Sequence, residues 1–316
     1  MTSAPNLQTP IRHLTGKQVG ALLPGIQHQL ELIDLAYRLL REGSCQTPAT
    51  PEIEPRPGAF SHALPAYVAD PETTSVKWIS GSADNRQRHG IPYLSGLIIV
   101  NDSETGLPLA IMDSAAITAA RTAAASARCV DAFAVKNWSK VGVVSQGVQF
   151  DAHVAALGQL NPDASFTVFS RHPVEAGDRP ISAVRELSQA IDGADVVITA
   201  MPLEVRLEPR VAFDWLKPAA LVLPLDDDSS LAADVANRAP EFYVDDHDDF
   251  LLRQEAGRFS GWRQPDAEVP EAVLNRDERG GVVLCANQGM GVLDALFARS
   301  VLDAAERSGT GLLLDR

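Results

Sequence analysis

The chain has 316 residues, of which 45% are apolar and 22% charged, enough apolar surface for a sizeable core and too much for a disordered chain. Lys and Arg number 27 against 41 Asp and Glu, a formal net charge of −14, which excludes a basic nucleic-acid footprint and a polybasic membrane patch. The three cysteines, Cys45, Cys129 and Cys285, are too few and too far apart for a disulfide framework. No apolar run reaches the ~18–20 residues that span a bilayer. The N-terminal residues lack the apolar core of a signal peptide, so a cytoplasmic protein is expected.

Along the chain, Thr15 and Gln18 have the spacing of a capping box. Pro24-Gly25 interrupts the helix that follows. Beyond it Ile26, Leu30, Ile33, Ala36 and Leu40 recur at helical spacing, up to Gly43. Four prolines between Thr47 and Gly58 predict an extended connection. Ala63–Val68, Ser75–Ser80 and Tyr93–Val100 read as strands. Asn101–Gly106 reads as a turn and Leu107–Met112 as the returning strand of an antiparallel hairpin. Ala115–Ala132, rich in Ala, Thr and Arg, reads as a closely packed helix.

From Lys140 the rhythm becomes strand, helix, strand. Lys140–Val144, Ser165–Ser170, Asp195–Ala200, Ala219–Leu223 and Glu241–Val244 are predicted strands, Gly281–Cys285 another. Ile181–Ile191 and the residues before Leu160 are predicted helices, and Val292–Ser308 closes the chain as a helix. Such alternation predicts a parallel sheet with crossover helices.

The segment VGVVSQGVQFDAH stands where a dinucleotide fold holds its pyrophosphate, on helix N–H groups and glycines. Of the G-x-G-x-x-G/A positions, occupied here by Ser145, Gly147 and Phe150, only the middle glycine is kept. Gln146, Val148 and Gln149 complete the loop. At the end of the next strand, Ser170, Arg171 and His172 replace the acid that would accept from an NAD ribose. A hydroxyl and a guanidinium suit a 2′-phosphate, so NADP(H) is expected over NAD(H).

The stretch from Val76 to Ala127 closely resembles the ornithine cyclodeaminase/μ-crystallin family. Its motifs are Leu64-Pro65-Ala66-Tyr67, Lys77, the hairpin from Asp102 to Asp113 and the ITAARTAA helix from Ile117 to Ala124. The later LVLPLDDDS and FYVDDHDDF stretches and the GTGLLL ending resemble one subgroup of it. The resemblance implies an α/β fold in which a Rossmann-type, doubly wound parallel sheet is inserted in an α+β substrate and dimerisation domain. Residues 1–130, completed by 288–316, would form the latter and residues 131–287 the former. It implies a homodimer and NAD(P)H-dependent chemistry on an amino acid or a cyclic imine, by reduction, dehydrogenation or cyclodeamination.

An amino- or imino-acid substrate presents a carboxylate that needs fixed cations. Lys77 on a strand and Arg121 on the small-residue helix are the candidates. Arg56 stands near the family's further arginine, and His62 lies beside the LPAY motif. The resemblance places Thr122 beside the dinucleotide. It also implies an Asp after the fourth Rossmann strand that handles the substrate nitrogen's proton. Asp226, Asp227 and Asp228 compete for that role, with Asp226 first and Asp227 second.

Ser145, Phe150 and Met201 depart from the family pattern around one ligand. An alternative reading is therefore a member that lost the dinucleotide and serves as an accessory or binding protein, or runs a non-redox reaction. The run Asp245–Asp249 is expected to be a solvated acidic loop, and no metal site is expected.

Overall fold

The computed structural model describes residues 6–145, 147–170, 179–276 and 279–316. In chain order the elements are β1 (Ile11–Leu14), α1 (Gly16–Leu22), α2 (Ile26–Arg41), β2 (Cys45–Gln46), β3 (Glu52–Arg56), β4 (Ala59–Ala69), β5 (Glu72–Ser82), β6 (Leu94–Asn101), β7 (Pro108–Asp113) and α3 (Ala115–Phe133). Then come β8 (Lys140–Val144), α4 (Val148–Leu160), β9 (Ser165–Phe169), β10 (Ile181–Val184), α5 (Leu187–Ile191), β11 (Val196–Thr199) and β12 (Leu221–Pro224). The last are α6 (Ala233–Arg238), β13 (Glu241–Val244), α7 (His247–Glu255), β14 (Ala267–Glu268), α8 (Val269–Leu274), β15 (Val283–Ala286), α9 (Gly291–Ser308) and β16 (Leu312–Leu314). No helix among the described residues is long and apolar enough to cross a membrane.

The chain divides into two compact units, Met1–Arg121 with Met290–Arg316, and Thr122–Gly289. The first holds a sheet in the order β16-β1-β7-β6-β5-β4-β2, with β3 paired to β4. Buried and partly exposed residues alternate along β4 and β5, the mark of a sheet covered on one face. The covered face packs on α9. Thr15 caps α1 by accepting from the Gln18 N–H, while the Gln18 side chain accepts from the Thr15 N–H. The proline-rich stretch is extended as expected, and part of it pairs with β4 as β3.

The second unit holds an all-parallel sheet in the order β10-β9-β8-β11-β12-β15-β13-β14. Its strands β11, β12, β13 and β15 are buried at every position, as continuous apolar runs demand when helices cover both faces. Strand order reverses between β8 and β11, which is where open α/β sheets form their ligand crevice. One predicted element is corrected. Ile181–Ile191 is not a single helix: Ile181–Val184 pairs with β9 as a strand, and only Leu187–Ile191 is helical. The β-branched ends of that segment favour the pleated edge over a helix.

Helices α3 and α4 are joined by a buried hydrogen-bond relay. His153 Nδ1 donates to the Gln149 carbonyl at 2.7 Å, which leaves Nε2 to accept from Ser126 Oγ at 2.9 Å. Burial drives this imidazole from 6.5 down to about 4. The folded protein therefore refuses a proton that the unfolded chain takes up. The stability contributed by the neutral ring is complete above pH 6.5 and is lost as the pH falls toward 4, by about 3 kcal/mol in all. A His153→Gln variant does not carry this titration. Urea unfolding at pH 7 and pH 4 should show the stability gap between wild type and variant shrinking on acidification, whereas a constant gap would refute the assignment.

Candidate functional site

In the first unit, β4 and β5 pair without interruption, with Leu64 opposite Lys77 and His62 opposite Ile79. The strand alternation turns Lys77, His62 and Leu64 to the covered face, and Lys77 is 1% exposed. Helix α9 comes close to this face because Gly291 has no side chain: a Cβ there would lie 2.8 Å from the Pro65 carbonyl oxygen. One turn on, Asp294 Oδ2 sits 2.6 Å from Lys77 Nζ and Oδ1 sits 3.4 Å from Arg121 Nε. All three side chains are buried. Burial lowers the Lys77 ammonium to about 8, against the pull of Asp294 and with a smaller push from Arg121.

Two cations thus share one carboxylate, which leaves a surplus positive charge in a place that water does not reach. A buried charge without a partner is costly, so an anion placed here would be stabilised. A carboxylate matches both the guanidinium fork and the ammonium. Asp294 escapes sequence reasoning, although a signal exists: it is the lone acid in the otherwise apolar GVLDALF turn that opens α9.

The other candidates of this unit stand apart from that group. His62 is buried, with Nε2 at 2.6 Å from Glu52 Oε2 and its ring 4.6 Å from that of Phe60. Arg56 lies on β3, opposite Ala59, and is exposed.

In the second unit the carboxyl ends of β8 and β11 lie side by side, with Thr199 opposite Val144. Beyond β8 come Ser145, which is buried, and Gly147, which caps α4 with φ 146° and no side-chain hydrogen bond. A Cβ on Gly147 would meet nothing within 4 Å, but that φ favours glycine. The amino end of α4 thus carries no side-chain cap, and the space that a Cβ on Gly147 would take is open. Among the described residues the non-glycine positions with positive φ are Ala219, Asp227 and Phe259, so Ser145 carries no such strain. Phe150 is buried, whereas Val148 is exposed and Gln149 partly so. These residues fit a dinucleotide. Thr122 and Ser170 are buried, Ser170 just past the end of β9. Gln146, Arg171 and His172 lie outside the described residues.

The acids after β12 are not a solvated turn. Asp226 is fully buried and accepts from Thr199 Oγ1 at 2.6 Å, Ser230 Oγ at 2.6 Å and the Met201 N–H at 2.9 Å. Burial pushes its carboxyl up to about 6, against these three donors. Asp227, with φ 54°, faces Arg253 Nη1 at 3.4 Å and Arg258 Nε at 3.9 Å. Asp228 pairs with Arg206 Nη2 at 3.1 Å.

The expectation of a solvated loop at Asp245–Asp249 is corrected in the same way. Asp245 and Asp249 are buried, while His247 and Asp248 are exposed. Asp246 caps α7 by accepting from the Asp249 N–H, which turns Asp249 inward onto Arg253 Nε at 2.7 Å. Asp245 accepts from the Gly289 N–H, and burial raises its carboxyl to about 7. Among the described residues no three His, Cys, Asp or Glu side chains are grouped to hold a metal ion.

Sequence comparison places these observations in a family. The nodulation efficiency protein NfeD of Rhizobium meliloti is 28% identical over 96% of this chain and 98% of its own length. The N-((2S)-2-amino-2-carboxyethyl)-L-glutamate dehydrogenase of Staphylococcus aureus is 24% identical over 80% of this chain and 81% of its own. In fold, the Thermococcus litoralis Δ1-pyrroline-2-carboxylate reductase, solved with NADH and L-proline, superposes with a TM-score of 0.84 at 22% identity, covering 96% of this chain and 99% of that one. The family profile of ornithine cyclodeaminase/mu-crystallin matches residues 14–248, and the chain belongs to that family.

Proposed function

We propose that the protein is an NAD(P)H-dependent oxidoreductase acting at the nitrogen-bearing carbon of an amino acid or a cyclic imine. The buried Lys77–Asp294–Arg121 group carries this reading, because its surplus positive charge suits the carboxylate common to such substrates. The S. aureus dehydrogenase and the T. litoralis reductase, whose relationship to this chain is described above, support the reaction type.

Lys77 and Arg121 seat the substrate carboxylate, and Asp294 holds the two cations in place. Ser145, Gly147 and the first turn of α4, with Gln146, Val148 and Gln149, hold the pyrophosphate. Ser170, Arg171 and His172 hold the adenosine ribose, and Thr122 and Met201 line the remainder. When bound, the dinucleotide supplies or accepts the hydride. Asp226 is the proton-transfer candidate, since a carboxyl pushed up to about 6 exchanges its proton near neutrality. Asp227 is the second. Arg171 favours NADP(H), because a guanidinium can bond a 2′-phosphate twice. The free thiols of Cys45, Cys129 and Cys285 support a reducing, cytoplasmic setting.

A homodimer belongs to the same reading. The uncovered face of the first unit's sheet brings Trp78 opposite Leu97 and Val76 opposite Ile99. Trp78 is 46% and Leu97 45% exposed, an apolar pair that a second copy would cover. Light scattering should give a dimer for the wild type and a monomer for Trp78→Asp with Leu97→Asp. A monomeric wild type removes this claim.

Arg121→Ala should weaken substrate binding by about 2–5 kcal/mol, the cost of breaking a buried charge pair. Lys77→Ala should act in the same direction, and KM in the wild type should rise as the pH passes about 8 and the ammonium loses its proton. Unchanged affinity in both variants would show that the carboxylate is held elsewhere. Asp226→Asn should lower kcat by about 10²–10⁴-fold. Titration with all four dinucleotides tests the cofactor. Arg171→Ala should weaken NADPH about tenfold or more and leave NADH nearly unchanged. A wild type that binds none of them overturns the oxidoreductase reading.

A further inference from the structure

We infer that Thr118 is a substrate-binding residue whose hydroxyl donates a further hydrogen bond to the carboxylate seated by Lys77 and Arg121. This rests on the proposed carboxylate seat and adds to it a donor that carries no charge.

The inference starts from buried hydroxyls that have nothing to bond. Ser114, just before α3, and Thr118 and Arg121 within it follow at spacings of four and three residues, which stacks them on one face of the helix. All three are buried. Among the described residues, Ser114 Oγ, Thr118 Oγ1 and Arg121 Nε have no hydrogen-bond partner. A threonine inside a helix ordinarily turns its hydroxyl to solvent or bonds it back to the carbonyl four residues earlier. Thr118 does neither, being 8% exposed with Oγ1 unpaired. Folded proteins rarely leave a buried hydroxyl in this state, because its bonds to water are given up without replacement.

The two ends of this helix face fix where Thr118 lies. Ser114 Oγ is 2.9 Å from the place a Cβ on Gly96 would take. Gly96 is two residues from Ile98, which pairs with Lys77, so the strand alternation puts all three on the covered face of the sheet. At the other end Arg121 faces Asp294, which also holds Lys77. Thr118 stands between these points, with its Cβ about 5–6 Å from that of Arg121. Ser114 is fully enclosed, whereas Thr118 and Arg121 keep 8% and 7% of their surface, so a ligand reaches the face at those two.

The charge balance favours a neutral donor here. A bound carboxylate cancels the surplus cation of the Lys77–Asp294–Arg121 group, and a further cation would restore it. A carboxylate also offers about four lone-pair sites, more than an ammonium and a guanidinium already turned to Asp294 fill. A hydroxyl fills one of them and leaves the net charge at zero.

Isothermal titration of the intact chain with L-alanine, L-proline and L-glutamate, with NADP⁺ and with NAD⁺ present, tests this on wild type, Thr118→Val and Thr118→Ser. Valine keeps the branched shape without the hydroxyl, and serine keeps the hydroxyl. The tightest of the three ligands should bind Thr118→Val about tenfold or more weakly and Thr118→Ser within about threefold of wild type. Thermal unfolding of the ligand-free protein gives the second readout. Replacing an unpaired buried hydroxyl by a methyl should leave Tm unchanged or raise it, so affinity falls while stability does not. Wild-type affinity in Thr118→Val, with binding still lost in Arg121→Ala, overturns the inference and leaves the carboxylate seat standing. A Thr118→Val protein whose Tm drops by several degrees also overturns it, since the hydroxyl then has a partner within the fold. If none of the three ligands binds the wild type, or Arg121→Ala changes nothing, the seat itself fails and the inference falls with it. The oxidoreductase reading is judged separately, by the dinucleotide titration.

Discussion

Asp294 lies between two buried cations, and the geometry of the first unit follows from that arrangement. The carboxylate ties α9 to β5 through Lys77 and to α3 through Arg121. It can do so because Gly291 lets α9 approach the backbone of β4 and because β4 and β5 stay in register over their whole length. Remove the carboxylate and two cations remain buried without an anion, an arrangement that proteins tolerate poorly. Keep it, and one positive charge is still in surplus. The same contact therefore ties the elements of the unit together and leaves a net positive group in its interior.

The second unit solves a different electrostatic problem. It buries acids just beyond the carboxyl ends of its parallel strands, where like charges repel one another. Asp227, Asp228 and Asp249 pair with arginines, and Asp226 accepts from backbone and hydroxyl donors. The amino end of α4 stays free of a side-chain cap. Serine in place of the first glycine costs no left-handed backbone, and the ring of Phe150 is buried. The departures from the glycine fingerprint are thus compatible with the crevice at the reversal of strand order.

Much of this was legible in the residues. The hairpin, the small-residue helix and the alternating strands and helices after Lys140 carry strong local patterns, and the structure contains them. What escaped was decided by distant partners. β1 and β16 are short and gain their structure by pairing with each other and with β7. Ile181–Val184 becomes a strand because β9 offers an open edge. The run Asp245–Asp249 looked solvated because a string of aspartates is usually so, and only the fold shows Arg253 and the Gly289 N–H waiting for two of its acids. Asp294 gave a signal, an acid in an apolar turn, but its meaning depends on Lys77 and Arg121, more than 170 residues away in sequence.

The central claim is that the buried Lys77–Asp294–Arg121 group seats a carboxylate. The most direct measurement compares the tightest-binding amino acid with its own α-carboxamide, which has the same shape without the charge. At pH 7 the amide should bind about a hundredfold weaker or more, since it leaves the surplus cation unpaired. Equal affinity for acid and amide would contradict the account.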